Sequence, residues 1–174
     1  LSGFFATIVL TRILGQERYG TYVVVLSVLA WTTMAAQVGL PTAIRKRVSE
    51  MNDGNYVLSG FIAQLCLYLI LAACLWVARP YLNNFIGIPA TGVIILMLGV
   101  TLMVSIVQSV LDGQHLVHVS SILIPVEWSS RSAIQIVLVT SGFGVVGAFA
   151  GYIAGGVVAA LIGSYFISVP QGVP

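Results

Sequence analysis

The stretch from Tyr56 to Ala78 reads YVLSGFIAQLCLYLILAACLWVA, 23 residues without a charged side chain. About 20 apolar residues in a helix cross the ~30 Å hydrocarbon core of a bilayer. Arg79 and Tyr81 follow directly, and Trp76 precedes them, as is typical of a helix end at the membrane interface. This stretch therefore predicts a membrane-spanning helix.

The composition of the whole chain agrees with that prediction. Of its 174 residues, 59% are hydrophobic, and only seven are basic and five acidic. The mean hydropathy is +1.05. A soluble domain averages about 25% charged residues. The composition excludes an ordinary soluble enzyme, a disordered chain and a nucleic-acid binder, which would need a basic face. The predicted fold class is all-α, a polytopic transmembrane helix bundle.

Charge-free stretches elsewhere define the remaining segments. Tyr19–Ile44, Pro80–Leu111 and Ser132–Pro174 hold 26, 32 and 43 residues without a charge, so each has room for at least one span. The chain opens inside an apolar run of ten residues, which is too short to cross a bilayer. We expect this first segment to be truncated and the chain to be part of a longer protein. The six predicted segments lie at about 1–11, 21–44, 56–78, 90–111, 117–141 and 145–168.

Basic residues fall in two predicted loops on opposite sides of the membrane. Arg12 and Arg18 flank the loop Arg12–Gly20, and two interpretations of them stay open: solvated loop charges or contacts to an anionic substrate. Arg45, Lys46 and Arg47 cluster in the loop 45–55, where we expect them to set topology and to contact anionic lipid headgroups. With Arg79 on the side of Arg12, the two sides carry equal positive charge, so counting charges alone does not orient the chain.

Glu127 and Arg131 lie inside a predicted span and are four residues apart, so they share a helix face and can form an ion pair. Charged side chains within a span are costly and usually face the bundle interior or a water-filled cavity. A structural ion pair near the interface and a role in lining a substrate cavity are both compatible with this pattern.

The last segment carries a ridge of small residues at a spacing of four. Such ridges let helix backbones approach closely in lipid. Static packing and a sliding contact used in transport both fit this pattern. The ridge consists of Gly147, Gly151, Gly155, Ala159 and Gly163.

Motifs for catalysis or metal binding are not recognisable in the sequence. His115 and His118 are three residues apart, but only Asp112 lies nearby, which is too few ligands for a metal site. GxSxG, P-loop and HExxH patterns are missing from the sequence. We therefore expect a protein that is not an enzyme and that holds no cofactor and no metal.

Three stretches together resemble a known family. LTRILGQERYG at 10–20, GLPTAIRKRVSE at 39–50 and GFGVVGA at 142–148 are similar, in order and spacing, to the polysaccharide-biosynthesis, or Wzx-type, oligosaccharide flippases. These flippases belong to the MOP superfamily, with the MATE transporters and the lipid II flippases. The first stretch is the most specific of the three.

The resemblance implies a fold and a function. The chain would be most of a six-helix N-terminal lobe, MATE-like in fold, with the C-terminal lobe absent from this chain. It would flip an oligosaccharide linked to a polyprenyl-phosphate carrier across the cytoplasmic membrane by alternating access, with membrane lipids and glycan-assembly proteins as partners and no nucleic acid. The loop 45–55 would be cytoplasmic, and Arg12, which matches the family's Arg-x-Leu-Gly arginine, would contact the substrate. Arg18, Glu127 and Arg131 remain candidate substrate contacts from their own positions.

Three alternatives stay open, one of which is a purely structural or assembly subunit. A drug/cation antiporter of the same superfamily would be expected to carry a carboxylate deep in the first segment, and none is present in residues 1–10. A membrane-embedded glycan polymerase or ligase would be expected to carry a large external loop, whereas the predicted external loop from Arg79 to Pro89 has eleven residues.

Overall fold

The computed structural model describes residues 2–37, 39–49 and 56–167. These ranges contain helices and no strand, which confirms the all-α bundle. Four helical stretches are long and apolar enough to cross a membrane: Ala6–Ala36, Val57–Val77, Thr91–Gly113 and Val117–Tyr165. The elements are α1 (Ser2–Ala36), α2 (Leu40–Ser49), α3 (Tyr56–Val77), α4 (Arg79–Ile86), α5 (Thr91–Gly113), α6 (Val117–Leu138), a π-helical turn (Val139–Phe143) and α7 (Gly144–Tyr165).

Helix α1 folds back on itself at Gly15. Gly3 and Met34 line one cavity, although a straight helix would hold them about 46 Å apart at 1.5 Å per residue. Gly15 has φ 76° and ψ 167°, a conformation that is essentially restricted to glycine. The predicted loop Arg12–Gly20 is therefore wrong in its extent, because the residues on both sides of Gly15 are helical and this glycine alone makes the break. We call residues 2–14 and 16–36 the first and second limbs of α1.

The basic cluster lies on a helix, which corrects the prediction of a loop from residue 45. Arg45, Lys46 and Arg47 are exposed on α2, which starts at Leu40 after Gly39 (φ 70°) and carries a proline at its second position, where the missing N–H costs nothing. The predicted segment 21–44 therefore ends earlier, at Ala36. Residues 50–55 of the predicted loop lie outside the described residues.

A short helix also replaces part of the predicted loop Arg79–Pro89. Pro80 lies in the first turn of α4, and Gly87 (φ 82°) ends the helix. The side-chain oxygen of Asn83 accepts hydrogen bonds from the backbone N–H and the hydroxyl of Thr91, at 3.3 and 2.8 Å. These two bonds connect α4 to the start of α5.

Helices α6 and α7 form an antiparallel hairpin. Gly142 (φ 92°) and Gly144 (φ 55°) reverse the chain between them. Each glycine of the predicted ridge contacts α6, and the contacted residue of α6 moves toward the start of that helix as the glycine moves along α7. The pairs are Gly147 with Leu138, Gly151 with Gln135, Gly155 with Arg131, and Gly163 with Leu123.

Helix α5 lies parallel to α7, since Gly156 meets Val100 and Gly163 meets Val107. The start of α7 and the end of α5 are therefore at opposite ends of the bundle. Arg18 lies at the first end, where a Cβ built on Gly144 would be 3.9 Å from its Nη1, and α2 lies at the other, where Val48 meets Gly113. The two basic groups thus lie at opposite ends, as the loop assignment predicted.

Candidate functional site

A cavity of about 560 Å³ opens between the two limbs of α1 and the helices α5, α6 and α7. Apolar side chains of both limbs of α1, such as Leu10 and Leu29, form much of its wall. The polar part of the wall comes from α1 and from α6, where Trp128, Arg131 and Gln135 project to the same side because they are three and four residues apart. The cavity therefore lies within the membrane-spanning part of the bundle.

Arg131 is the charged residue of the cavity wall among the described residues, and it is 7% exposed. Its Cζ lies 3.8 Å from the centroid of the Tyr152 ring, so the guanidinium covers the face of that ring. Its Nη2 lies 2.5 Å from Oε1 of Glu127. Neither Nη2 nor Nε has an acceptor in hydrogen-bonding geometry within the described ranges. The carboxylate of Glu127 is therefore the charged partner that the described residues give to this buried guanidinium.

Glycines of α7 make room for the arginine. A Cβ on Gly155 would collide with Cγ of Arg131 and would lie 2.5 Å from its backbone nitrogen, and a Cβ on Gly156 would lie 3.3 Å from Nη2. The small-residue ridge therefore does more than bring two backbones together. It provides the space in which the side chain of Arg131 crosses α7 to reach Tyr152.

Gln135 connects three helices at the end of the cavity nearer Gly15. Its Nε2 donates a hydrogen bond to the hydroxyl of Tyr22 on α1 at 2.8 Å and another to the carbonyl oxygen of Ala148 on α7 at 2.9 Å. Tyr22 also packs against Phe149, with ring centroids 5.6 Å apart. A buried amide with both N–H groups used holds its helices in one relative position.

The four predicted substrate contacts separate into two groups. Glu127 and Arg131 form the buried pair, with Arg131 on the cavity wall and Glu127 behind it. Arg12 and Arg18 are exposed at the end of the bundle near Gly15 and do not line the cavity. Arg131 lies eleven residues before Gly142, about 16 Å along the helix from the end where Arg18 lies. The structure thus does not bring the two groups together.

A family model described as polysaccharide biosynthesis protein matches residues 1–171. The chain belongs to the polysaccharide biosynthesis protein family. This confirms the family resemblance read from the sequence. Comparisons with curated proteins and with solved structures found no match.

Sequence reasoning about this family member missed most of the polar wall. Tyr22, Gln135 and Tyr152 carry no charge, and nothing in their local sequence separates them from other polar residues of apolar helices. One signal was available, because Trp128 and Gln135 lie three residues before and four residues after Arg131 and so share its face of the helix. Tyr152 had no such signal, since it approaches Arg131 only after the hairpin forms.

A metal site is not formed by the described residues. Within them, three or more histidine, cysteine, aspartate or glutamate side chains nowhere come together. His115 follows α5 in a turn, and His118 lies at the start of α6, both exposed. The cavity of this polysaccharide biosynthesis protein can instead offer aromatic faces, neutral hydroxyl and amide groups, and one guanidinium.

Proposed function

We propose that this protein is a transporter, not an enzyme, and that it flips a lipid-linked oligosaccharide of the polyprenyl-phosphate type across the cytoplasmic membrane. The observation that carries the proposal is a cavity between apolar spanning helices whose wall includes polar side chains and one buried arginine, in a chain of the polysaccharide biosynthesis family. A glycan and its phosphate need hydrogen-bonding partners wherever they cross the hydrocarbon core. This cavity supplies such partners.

Alternating access is the mechanism that best suits the architecture. Transport requires two states of the bundle with different exposure of one site. The glycine ridge of α7 presents a surface without large side chains to α6 along the hairpin. Gly15 and Gly142 interrupt their helices at one end of the bundle. These breaks are where helices can change their relative tilt without breaking hydrogen bonds inside the core.

We assign the end with Arg45, Lys46 and Arg47 to the cytoplasm. The three exposed cations lie on one amphipathic helix, α2, next to the ends of α3 and α5. Juxtamembrane basic residues are retained on the cytoplasmic side and attract anionic lipid headgroups. Arg12 and Arg18, at the opposite end, then face outwards, where they are available to the phosphate of a flipped carrier.

The test is to block the cavity. Ala30 and Ala35 both lie on the second limb of α1 and are both exposed, but only Ala30 lines the cavity. We expect Ala30→Trp in the full-length protein to abolish translocation of a lipid-linked oligosaccharide in proteoliposomes, and Ala35→Trp to leave it near the wild-type rate. Normal translocation by Ala30→Trp would show that substrate does not pass through this cavity.

The rival functions make different predictions in the same vesicles. A drug/cation antiporter would bind cations through carboxylates, yet among the described residues that line the cavity the charged group is Arg131. It would move an organic cation against a proton or sodium gradient and leave the lipid-linked sugar in place. A polymerase or ligase would lengthen or transfer the glycan, which product analysis of the vesicles would detect.

A further inference from the structure

A second cavity, of about 320 Å³, lies between α3, α5 and Ile167, which follows α7. All of its lining side chains are apolar. We call it the outer groove, and its walls include Leu58 and Phe61 of α3 and Met103 and Val110 of α5. Apolar walls suit a hydrocarbon chain and cannot satisfy hydroxyl or phosphate groups.

The outer groove faces away from the cavity of about 560 Å³. Thr101 of α5 lines that cavity. An α-helix turns by about 100° per residue, so Met103 and Val110 lie about 180–200° around α5 from Thr101. Met103 and Phe61 are 46% and 44% exposed. The groove therefore opens on the outer surface of the bundle, which a membrane-spanning protein presents to lipid.

The outer groove extends along the bundle toward the basic helix α2. Away from α2, the helices α3 and α5 are in close contact, since a Cβ on Gly99 would lie 3.2 Å from the ring of Tyr68. At the other end, α2 packs across both helices, against Gly60 of α3 and Gly113 of α5. The contact between Tyr68 and Gly99 thus bounds the groove inside the membrane, and α2 bounds it near the membrane surface.

The length of the outer groove matches one acyl chain. Met103 and Val110 are seven residues apart, or about 10 Å along α5, and Gly113 beside α2 is about 5 Å further. One leaflet supplies about 15 Å of hydrocarbon core, half of the core of the bilayer. A chain that starts at the level of α2 therefore reaches the far end of the groove. Moving a tail from lipid into an apolar groove gains only van der Waals contacts, so the headgroup decides which lipid is bound.

The charges at this end of the bundle favour an anionic headgroup. Arg45, Lys46 and Arg47 are exposed on α2, which contains no acidic residue. The backbone oxygen of Arg45 would lie 3.0 Å from a Cβ on Gly113, so the basic cluster begins beside α5 where the groove ends. Asp112 is the carboxylate that the described residues place at the same end, and it leaves an excess of positive charge there.

We propose that the outer groove binds one anionic phospholipid, with an acyl chain between α3 and α5 and the phosphate against the basic side chains of α2. This is a lipid held at a fixed position, which goes beyond a general attraction of α2 for anionic headgroups, and it does not depend on what the protein transports. The bound lipid completes the packing of α3. Only 6% of the most apolar part of α3 is buried, against 44% in α5.

Photo-crosslinking of the full-length protein tests the site. A benzoylphenylalanine replaces Phe61, and the protein is reconstituted in vesicles of phosphatidylglycerol and phosphatidylcholine in equal amounts, with a trace of polyprenyl phosphate. One basic side chain near an anionic headgroup contributes about 1 kcal/mol, which is about fivefold in affinity. We therefore expect phosphatidylglycerol to exceed phosphatidylcholine at least about fivefold among the adducts at Phe61. The same probe at Leu69, which is exposed on α3 outside the groove, should give the two lipids equally.

Two variants with matched controls separate the headgroup from the groove. Arg45→Gln/Lys46→Gln/Arg47→Gln should abolish the preference for phosphatidylglycerol at Phe61, whereas Arg79→Gln, which removes an exposed cation outside α2, should keep it.

Met103→Trp should fill the groove and reduce all lipid adducts at Phe61. Leu96→Trp, on the same face of α5 but outside the groove, should not reduce them.

Thermal unfolding in detergent gives an independent measurement. Phosphatidylglycerol should raise Tm more than phosphatidylcholine does, because a ligand stabilises the folded state to which it binds. The triple glutamine variant should lose this difference.

Three outcomes overturn the proposal. Equal amounts of the two phospholipids at Phe61, or no lipid adduct at all, would show that the groove holds no anionic lipid. Polyprenyl phosphate as the main adduct would make the groove a site for the carrier instead of a phospholipid. Adducts with protein alone would show that another part of the full-length protein covers this face.

Discussion

The contact between Gly155 and Arg131 makes the sharpest stability prediction. An alanine at position 155 would place its Cβ 2.5 Å from the backbone nitrogen and 2.6 Å from Cα of Arg131. Ordinary contact begins at 3.4 Å, so α6 and α7 would have to separate by about 0.9 Å. Backbone atoms cannot rotate away as a side-chain end can, which leaves separation of the helices as the only relief.

The expected cost follows from that displacement. Overpacking by one methyl group typically costs about 1–3 kcal/mol, and a clash with backbone belongs at the upper end. Alanine recovers about 1 kcal/mol because it favours helix over glycine. The net loss is about 2 kcal/mol, or about 4–8 °C in Tm for a chain of this size.

The assay is thermal unfolding in detergent, with Gly20→Ala as the matched control. Gly20 lies in α1, is exposed, and would have no atom within 4 Å of an added Cβ. We expect Gly20→Ala to melt at or slightly above the wild-type temperature and Gly155→Ala well below it. Equal melting of the two variants would show that the close approach of α6 and α7 is not present in the protein.

Three further predictions concern the turn, the ion pair and the exposed arginine. Gly15→Ala should lower the free energy of unfolding by about 1–3 kcal/mol in the same melting assay, because the backbone of alanine is strained at this φ and ψ. An unchanged Tm would mean that the chain does not reverse at this residue. The charge swap Glu127→Arg with Arg131→Glu should restore the stability lost in either single variant. It should not restore translocation, because it turns a carboxylate toward the cavity. Restored translocation would show that the pair has only a structural role. Arg12→Ala in the full-length protein should reduce glycan assembly at the cell surface, whereas Arg79→Ala, the exposed control, should not. Unchanged assembly in Arg12→Ala would show that Arg12 does not contact the substrate.

The helices were predictable from sequence where composition alone decides them. Long charge-free stretches such as 56–78 must form helices in a bilayer, because every backbone N–H and C=O needs a partner there. Element ends were harder to predict. The predicted loop Arg12–Gly20 is helical except at Gly15, and Arg79–Ile86, also predicted as loop, is a helix. Polar residues at a membrane interface are compatible with either helix or loop.

The candidate site was likewise predictable from sequence only in part. Glu127 and Arg131 were identifiable from sequence because a charge within a span is rare, and their spacing of four predicted the ion pair that the structure contains. Which face of α6 they occupy, and what lies opposite, was not decided by their own helix. Arg12 and Arg18 are equally charged, yet they lie at the end of the bundle and outside the cavity.

The sequence by itself determined that this is a bundle of apolar helices in a membrane, which residues carry its few charges, and to which family it belongs. The tertiary structure decided that Arg131 reaches a cavity, that Tyr152 covers its face, and that Gln135 donates a hydrogen bond to Tyr22, 113 positions away in the chain. The physical reason is that hydropathy and charge act on each segment locally. A cavity exists only where α1 folds back at Gly15 and the glycines of α7 let α6 come close enough to place its polar face between them.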